Sequence, residues 1–247
     1  MQSTVCLHLR AQMPIIYGAG RQNKDWRGNM LKQEEKRAVV FDLDGTLTNT
    51  LEDIANAMNR ALRMYGLPEW ETDEYRYLVG NGVRILAQRA VRDRQELAEE
   101  VGAEYQKWYE AHNQEKTGPY EGIPELLREL NAREIPVCVL SNKPDPDTKN
   151  VIAHYFPDIR FAKVLGQTEL PIKPDPAGAI AIAREIGISP DHFMYLGDTA
   201  VDMKCAVNAG MHPIGVLWGF RTAEELTENG AEHLISAPME LIPLLDQ

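Results

Sequence analysis

The feature of this sequence that most constrains its fold is a regular alternation of short apolar runs and amphipathic segments in the second half of the chain. Short runs rich in β-branched and aromatic residues predict strands, and the segments between them have helical composition. Strands are predicted at residues 137–140, 161–165, 193–196 and 213–217, and the helices that follow them at residues 147–155, 176–186, 199–208 and 222–228. This alternation is typical of parallel βαβ units and predicts an α/β fold with a doubly wound, Rossmann-like parallel sheet.

A helical stretch separates this part of the chain from an earlier predicted strand at residues 38–41. Helical spacing or composition extends over residues 50–64, 72–91 and 94–112. Because no strand candidate occurs there, we predict an all-helical domain inserted at residues 51–117, called the helical insertion below. The sheet domain is then formed by residues 37–50 and 118–247.

Residues 1–36 form a basic leader without sustained periodicity. Their apolar patches are too short for the core of a signal peptide. We therefore expect a poorly ordered leader, with Met30 as an alternative start of the protein.

Composition excludes several classes of protein. The formal net charge of -11 argues against a nucleic-acid partner, because such binding depends on clustered Lys and Arg. No run of about 18 or more apolar residues occurs, so no membrane-spanning helix is predicted. Cys6, Cys138 and Cys205 lie far apart without a CxxC pair, which argues against a disulfide framework and a zinc site. We expect a soluble protein in the cytoplasm.

Two acids, Asp42 and Asp44, follow the first predicted strand two residues apart. In an extended chain this spacing points both carboxylates to the same side. Two carboxylates so close favour a cation between them, and Mg²⁺ is the ion usually held by one or two carboxylates and a substrate phosphate. The alternative is that both acids are ordinary turn residues beside Gly45.

Polar residues also follow three other predicted strands. Ser141 and Asn142 could offer a hydroxyl and a backbone N–H to a phosphoryl oxygen, or could cap the next helix. Lys173 could neutralise a carboxylate nucleophile, or be a solvated turn residue. Asp198 and Asp202 lie about one helical turn apart, and the alternative is that Asp198 or Thr199 only caps the next helix. Ligands of doubly wound sheets bind beyond the carboxyl ends of the strands, so these residues are predicted to meet at one edge.

Together, the four groups of residues resemble the motifs of the haloacid dehalogenase superfamily of phosphotransferases. Residues 41–47, 141–142, 173–174 and 197–202 are similar to its first, second, third and fourth motifs, and the resemblance extends from residue 38 to about residue 234. It implies that Asp42 is the nucleophile, and that Asp44 protonates the leaving alkoxide and later activates water.

The same resemblance implies the remaining site residues. A Mg²⁺ ion would be held by Asp42, the backbone carbonyl of Asp44, and Asp198, with Asp202 in support. Substrate-binding residues of the sheet domain would be Thr46, Ser141, Asn142 and Lys173. The helical insertion would be a cap that closes over a small phosphate ester and selects it.

Within the superfamily, residues 78–84 and 88–90 and the turn at 218–220 are most similar to phosphoglycolate phosphatases. This similarity implies hydrolysis of 2-phosphoglycolate or a similar small monoester, with Asn81 and Arg84 contacting substrate. Both residues have plainer alternatives, since the neighbouring glycines can be breaks between helices and Arg84 a solvated charge. Asn49 departs from the aspartate common at its position. The oligomeric state is left open.

Two other functions remain as alternatives, a sugar phosphomutase and a noncatalytic binding module. Asp44 argues against dehalogenases and phosphonatases, which replace the second acid of the motif. Sugar phosphomutases share every core motif, but those resembling beta-phosphoglucomutase usually carry a histidine early in the first cap helix, and none lies between Asp53 and Arg63. A noncatalytic binding module would be expected to have lost an ionisable site residue, whereas this sequence retains them all.

Overall fold

The computed structural model describes residues 37–247, so the predicted leader at residues 1–36, with Met30 and Cys6, lies outside the described residues. The strands are β1 (Ala38–Phe41), β2 (Thr48–Asn49), β3 (Gly118–Pro119), β4 (Val137–Pro144), β5 (Lys163–Gln167), β6 (Phe193–Gly197), β7 (His212–Val216) and β8 (His233–Ile235). The helices are α1 (Leu51–Met64), α2 (Tyr75–Leu78), α3 (Gly82–Ala90), α4 (Ala98–His112), α5 (Ile123–Ala132), α6 (Asp145–Tyr155), α7 (Ala177–Ile186), α8 (Ala200–Ala209), α9 (Ala223–Glu228) and α10 (Leu241–Leu245).

Six strands form one parallel sheet in the order β5-β4-β1-β6-β7-β8. β1 is central, with Val39 opposite Val137 of β4 and Met194 of β6. The chain builds outward from β1 on one side through β4 and β5, then crosses to β6 on the other. The carboxyl ends of β1, β4 and β6 therefore border the crevice at which ligands bind in such sheets. The prediction of a doubly wound α/β fold is confirmed.

Side chains of β1 alternate between two hydrophobic layers. Val39 and Phe41 pack in the layer formed with α5, α6 and α10. Ala38 and Val40 pack in the opposite layer, formed with α7 and α8. Because both faces of the central strand are covered by helices, β1 is apolar throughout, which is why a short apolar run identified it in the sequence.

The helical insertion has a hydrophobic cluster of its own, built from α1–α4 and joined by Phe220 from the sheet domain. Its two linkers pair with each other, since Thr48 lies opposite Pro119 and Asn49 opposite Gly118 in an antiparallel ribbon of β2 and β3. The chain thus leaves and re-enters the sheet domain at one place. The treatment of residues 51–117 as a separate domain remains a prediction.

Several element boundaries differ from the predictions. The helical segment predicted at residues 72–91 is broken between α2 and α3, where Gly80 and Gly82 have φ angles of 107° and 78°, open mainly to glycine. The strand predicted at residues 161–165 begins two residues later, and Phe161 packs edge-on against Phe156 with ring centroids 6.1 Å apart. The three-residue edge strand β8 was not predicted.

Two features of the described residues relate to the expectations from composition: the state of the cysteines and the length of the apolar helices. Cys138 and Cys205 are free, buried thiols. Between residues 37 and 247, no helix is long and apolar enough to cross a membrane.

Candidate active site

Asp42 lies directly after β1, at the centre of the carboxyl edge of the sheet. Its backbone N–H continues the ladder by donating to Leu196 O at 2.9 Å. Its carboxylate Oδ1 accepts a hydrogen bond from Leu43 N at 2.7 Å and pairs with Lys173 Nζ at 2.7 Å. Both contacts use Oδ1, and Oδ2 takes part in neither of them.

Three carboxylates converge at this point. Ligand oxygens of Asp42, Asp198 and Asp202 all lie within 4.8 Å of one another, and all three residues are buried. Lys173 Nζ, itself buried, reaches Asp202 as well as Asp42 at 2.7 Å. When all three carboxylates are ionised, the single ammonium group leaves a local deficit of two positive charges, which one divalent cation would balance.

The crowding shifts the protonation of these groups. Burial and the neighbouring Asp202 carboxylate raise the pKa of Asp42 well above its ordinary value, although Lys173 opposes the shift. Burial and Asp202 also raise the pKa of Asp198 to about 7. Burial disfavours the charge of Lys173, but the Asp202 and Asp42 carboxylates outweigh that effect and raise its pKa. The cluster therefore has the charge and the oxygen donors that suit a hard divalent cation.

Asp198 is fixed from two sides. Its Oδ1 accepts a hydrogen bond from Thr46 Oγ1 at 3.1 Å, and its Oδ2 accepts one from Phe220 N at 2.9 Å. Thr46, predicted to bind substrate, is fully buried, and its hydroxyl donates a hydrogen bond to Asp198. A Cβ added to Gly219 would overlap Asp198, so this turn must carry glycine for the carboxylate to occupy its place.

Both carboxylate oxygens of Asp202 accept hydrogen bonds from protein groups. Its Oδ2 accepts hydrogen bonds from the backbone and hydroxyl of Thr199, in a capping box at the start of α8, and its Oδ1 binds Lys173. The capping alternative raised from the sequence is therefore present together with the contact to Lys173. This arrangement makes Asp202 a support for the lysine.

The Asp44 side chain does not join the three carboxylates. Both of its oxygens lie 2.9 Å from Nζ of Lys143, a buried lysine that also donates to the Tyr109 hydroxyl at 2.8 Å. The Asp44 side chain therefore pairs with an ammonium group and not with the three carboxylates, and the expected cation between Asp42 and Asp44 stays a prediction. The contact predicted through the Asp44 backbone carbonyl stays a prediction.

Lys143 and Tyr109 are the site residues that sequence reasoning missed. The signal for Lys143 was its position directly after Ser141 and Asn142 at the end of an apolar strand, where a solvated lysine is out of place. Tyr109 carried no comparable signal, because in the sequence a tyrosine on the apolar face of a helix looks like any other residue of that face.

The site opens into a cavity of about 50 Å³ between the sheet edge and the helical insertion. Its polar wall comes from the sheet domain and includes Asp42, Asp44, Ser141, Asn142, Lys143 and Lys173. Its largely apolar wall comes from the helical insertion and includes Ile54, Val79, Val83, Leu86, Tyr105 and Tyr109.

The structure does not bring the two predicted insertion residues to this cavity. Asn81 and Arg84 are not among the described residues that line it. Asn81 Oδ1 accepts a hydrogen bond from Arg89 at 2.9 Å, and Arg84 is exposed on α3. The predicted core residues, by contrast, meet at one sheet edge.

Comparison with known proteins agrees with this arrangement. The sequence matches the family described as haloacid dehalogenase-like hydrolase over residues 39–216. A phosphoglycolate phosphatase of Aquifex aeolicus is 29% identical over 215 residues, which cover 85% of this chain and 97% of that protein. One of Chromobacterium violaceum is 30% identical over 217 residues, covering 85% of this chain and 96% of that protein.

A solved structure extends the similarity to the fold. A protein of Haemophilus somnus 129pt, described as a predicted phosphoglycolate phosphatase, superposes with a TM-score of 0.79 at 25% identity, covering 86% of this chain and 99% of that one. The family match spans most of the sequence and includes the residues that meet at the sheet edge. This chain therefore belongs to the haloacid dehalogenase-like hydrolase family.

Proposed function

We propose that this protein is a Mg²⁺-dependent phosphatase that hydrolyses a small phosphate monoester through a phosphoaspartate formed on Asp42. The observation that carries the proposal is the buried Asp42 carboxylate, paired through one oxygen with Lys173 and lining the cavity between the sheet edge and the helical insertion. A carboxylate held in this way is an oriented nucleophile. A fixed ammonium group beside it can offset its negative charge and that of an incoming phosphoryl group.

In the first step, Asp42 Oδ2 attacks phosphorus while the ester bond to the leaving oxygen breaks. Asp44 gives its proton to the leaving alkoxide. In the second step, the Asp44 carboxylate takes a proton from water, and that water attacks the phosphoaspartate, which releases phosphate and restores Asp42. The Ser141 hydroxyl and the backbone N–H of Asn142, both at the cavity, are suited to bind phosphoryl oxygens.

Asp42, Asp198 and the Asp44 carbonyl would hold Mg²⁺, which when bound supplies positive charge to the transferring phosphoryl group. The deficit of two positive charges supports a divalent ion there. Asp202 would orient Lys173 rather than bind the metal, because its oxygens accept hydrogen bonds from Thr199 and Lys173.

The names of the relatives make 2-phosphoglycolate the first substrate to test. The helical insertion would act as the cap that excludes water, and the small cavity supports a small leaving group. Arg84 remains a candidate for substrate contact that would require movement of α3.

The proposal is tested with purified protein and a panel of phosphate monoesters that includes 2-phosphoglycolate and p-nitrophenyl phosphate. We expect phosphate release with Mg²⁺, and none with excess chelator or with Ca²⁺, whose looser coordination disturbs in-line geometry. Rapid acid quenching should trap a phosphoenzyme that Asp42→Asn does not form. Full activity in excess chelator, or a phosphoenzyme in that variant, would contradict the proposal.

Two further measurements refine the proposed substrate and reaction. Arg84→Ala should raise KM for 2-phosphoglycolate by roughly tenfold if the guanidinium binds the carboxylate, and leave p-nitrophenyl phosphate unaffected. Conversion of a sugar 1-phosphate to its 6-phosphate faster than phosphate release would favour a phosphomutase instead.

A further inference from the structure

Two consecutive residues at the end of β4, Asn142 and Lys143, contact both the helical insertion and the proposed catalytic groups. Strand geometry sends their side chains to opposite sides of β4. They therefore reach two separate parts of the insertion, the loop at Gly80 and helix α4 at Tyr109.

Asn142 links the Gly80 loop to Lys173. Its side-chain Nδ2 donates to Gly80 O at 3.0 Å and to Lys173 O at 3.1 Å, while its Oδ1 accepts from Lys173 N at 2.9 Å. The amide thus holds the backbone of Lys173 from both sides. Since Lys173 Nζ pairs with Asp42, the placement of that ammonium group depends on a side chain that is itself held by the insertion.

Lys143 makes the corresponding link from α4 to Asp44. Its ammonium group is 2.9 Å from both Asp44 oxygens and 2.8 Å from the Tyr109 hydroxyl, and its side chain is 4% exposed. A buried ammonium group needs all of its protons bonded, because an unbonded one costs free energy. Removal of the Tyr109 hydroxyl should therefore loosen Lys143 and, through it, Asp44.

Two other polar contacts between the insertion and the sheet domain do not connect the insertion to Lys173 or Asp44 in this way. Arg76 donates to Gly219 O at 3.1 Å and Gln106 donates to Asp147 at 2.8 Å, and neither hydrogen bond involves Asp44 or Lys173. Such contacts can hold the insertion closed, but they do not hold the Lys173 backbone or the Asp44 side chain in place, although Gly219 packs against Asp198. The links through Asn142 and Lys143 do both.

We propose that Asn142 and Lys143 are positioning residues that couple closure of the helical insertion to the placement of Lys173 and Asp44. This inference rests on the proposed function. With the insertion open, the Asn142 amide and the Lys143 ammonium group lose Gly80 O and the Tyr109 hydroxyl, and the groups they support lose a fixed position. The site is then complete only when the insertion shields it from water, which protects the acid step and the phosphoaspartate from premature reaction.

The two links predict different kinetic signatures. Tyr109→Phe and Lys143→Met should lower kcat/KM by about tenfold or more for an alkyl phosphate, whose leaving group needs a proton from Asp44, but by less than about threefold for p-nitrophenyl phosphate, whose leaving group does not. Asn142→Ala should lower kcat/KM for both substrates to the same extent, because Lys173 acts on the phosphoryl group. The double variant Tyr109→Phe/Lys143→Met should lose no more than Lys143→Met alone.

The matched control is Tyr75→Phe. Tyr75 is as buried as Tyr109 and donates its hydroxyl to Asn59 Oδ1 at 2.7 Å within the insertion. It should lower thermal stability without altering the ratio of kcat/KM between the two substrates. A merely structural role for Tyr109 would give the same pattern as this control and would overturn the proposal.

Hydrogen–deuterium exchange measures closure without reference to activity. Compared with wild type and with Tyr75→Phe, the variant Asn142→Ala should show faster exchange of the amides of residues 79–83. The variant Tyr109→Phe should show faster exchange of the amides of residues 105–112. Unchanged exchange in both variants would overturn the proposed links. If the wild type hydrolyses no monoester, the proposed function fails and so does the coupling to catalysis, while the exchange result still decides whether these residues hold the insertion closed.

Discussion

Four carboxylates lie at the carboxyl edge of this sheet, and each has a different surrounding. Asp42 shares Lys173 with Asp202, Asp198 accepts from Phe220 N and Thr46, and Asp44 pairs with Lys143. Residue types and spacing identified all four acids. Their partners were not predictable to the same extent, because a partner such as Lys143 is chosen by the path of the backbone and not by distance along the chain.

We expect Asp42→Asn to lower turnover by on the order of 10⁴ or more while the protein stays folded, because it removes the proposed nucleophile. In the presence of chelator the variant should melt at the same temperature as wild type or higher, since burial and Asp202 disfavour the Asp42 carboxylate. Steady-state kinetics and thermal melting measure the two effects. A variant that kept a tenth of the activity would rule out Asp42 as the nucleophile.

Gly219→Ala tests the fit around Asp198. The added Cβ would lie 2.5 Å from Gly45 O and would overlap Asp198, so the carboxylate must move. We expect at least about a hundredfold loss of activity, as for other displacements of about 1 Å, and a weaker rise in melting temperature on addition of Mg²⁺. Gly118→Ala, whose Cβ would meet nothing within 4 Å, is the control. Equal behaviour of the two variants would mean that the turn adapts.

At the scale of elements, the linkers show how the insertion joins the sheet domain. The linkers of the insertion lie near residues 48–50 and 117–120, and residues of the two pair as β2 and β3. The second linker is also bound to α1, because Asp53 accepts hydrogen bonds from Lys116 N and from the N–H and hydroxyl of Thr117. Movement of the insertion should therefore pivot at the ribbon, with α1 and residues 116–117 moving together.

Asp53→Ala should destabilise the protein by about 2–4 kcal/mol, because it leaves the buried N–H and hydroxyl of Thr117 without an acceptor. Urea denaturation compared with wild type measures the change. Glu52→Ala, at the exposed neighbouring position, is the control and should change stability by less than about 0.5 kcal/mol. A difference between the two variants of under about 1 kcal/mol would show that water replaces the carboxylate at little cost.

At the scale of the whole molecule, the unbalanced charge of the site should make stability depend on Mg²⁺ and on pH. The pKa of Asp198 is raised from 3.8 to about 7, so the folded, metal-free protein holds a proton there that the unfolded chain releases. A raised folded-state pKa contributes stability below 3.8 that is lost as pH rises to about 7. Metal binding requires the deprotonated carboxylate.

We therefore expect the metal-free protein to lose stability as pH rises from 3.8 to about 7, and the stabilisation by Mg²⁺ to grow over the same interval and level off above it. Melting temperatures at several pH values, with Mg²⁺ and with chelator, measure both trends. An increment in melting temperature that did not change with pH would contradict a metal site that includes Asp198.

The sequence by itself determined the sheet and the acids of the site. A central strand buried on both faces must be apolar, and the parallel crossovers need helices between strands, so periodicity was enough to predict β1, β4, β6 and β7. The parallel topology then brought Asp42, Ser141, Lys173 and Asp198 to one edge, as predicted.

The tertiary structure decided which groups pair and which residues of the insertion reach the cavity. Whether Arg84 or Tyr109 faces the cavity depends on how α3 and α4 pack on the sheet domain, and a helical pattern specifies a buried face without specifying what that face meets. Asp44 meets Lys143, which lies 99 residues further along the chain, so local spacing did not specify this partner. Local sequence sets the period of an element, whereas its partners are set by contacts between residues as far apart as Tyr109 and Lys143 in the chain.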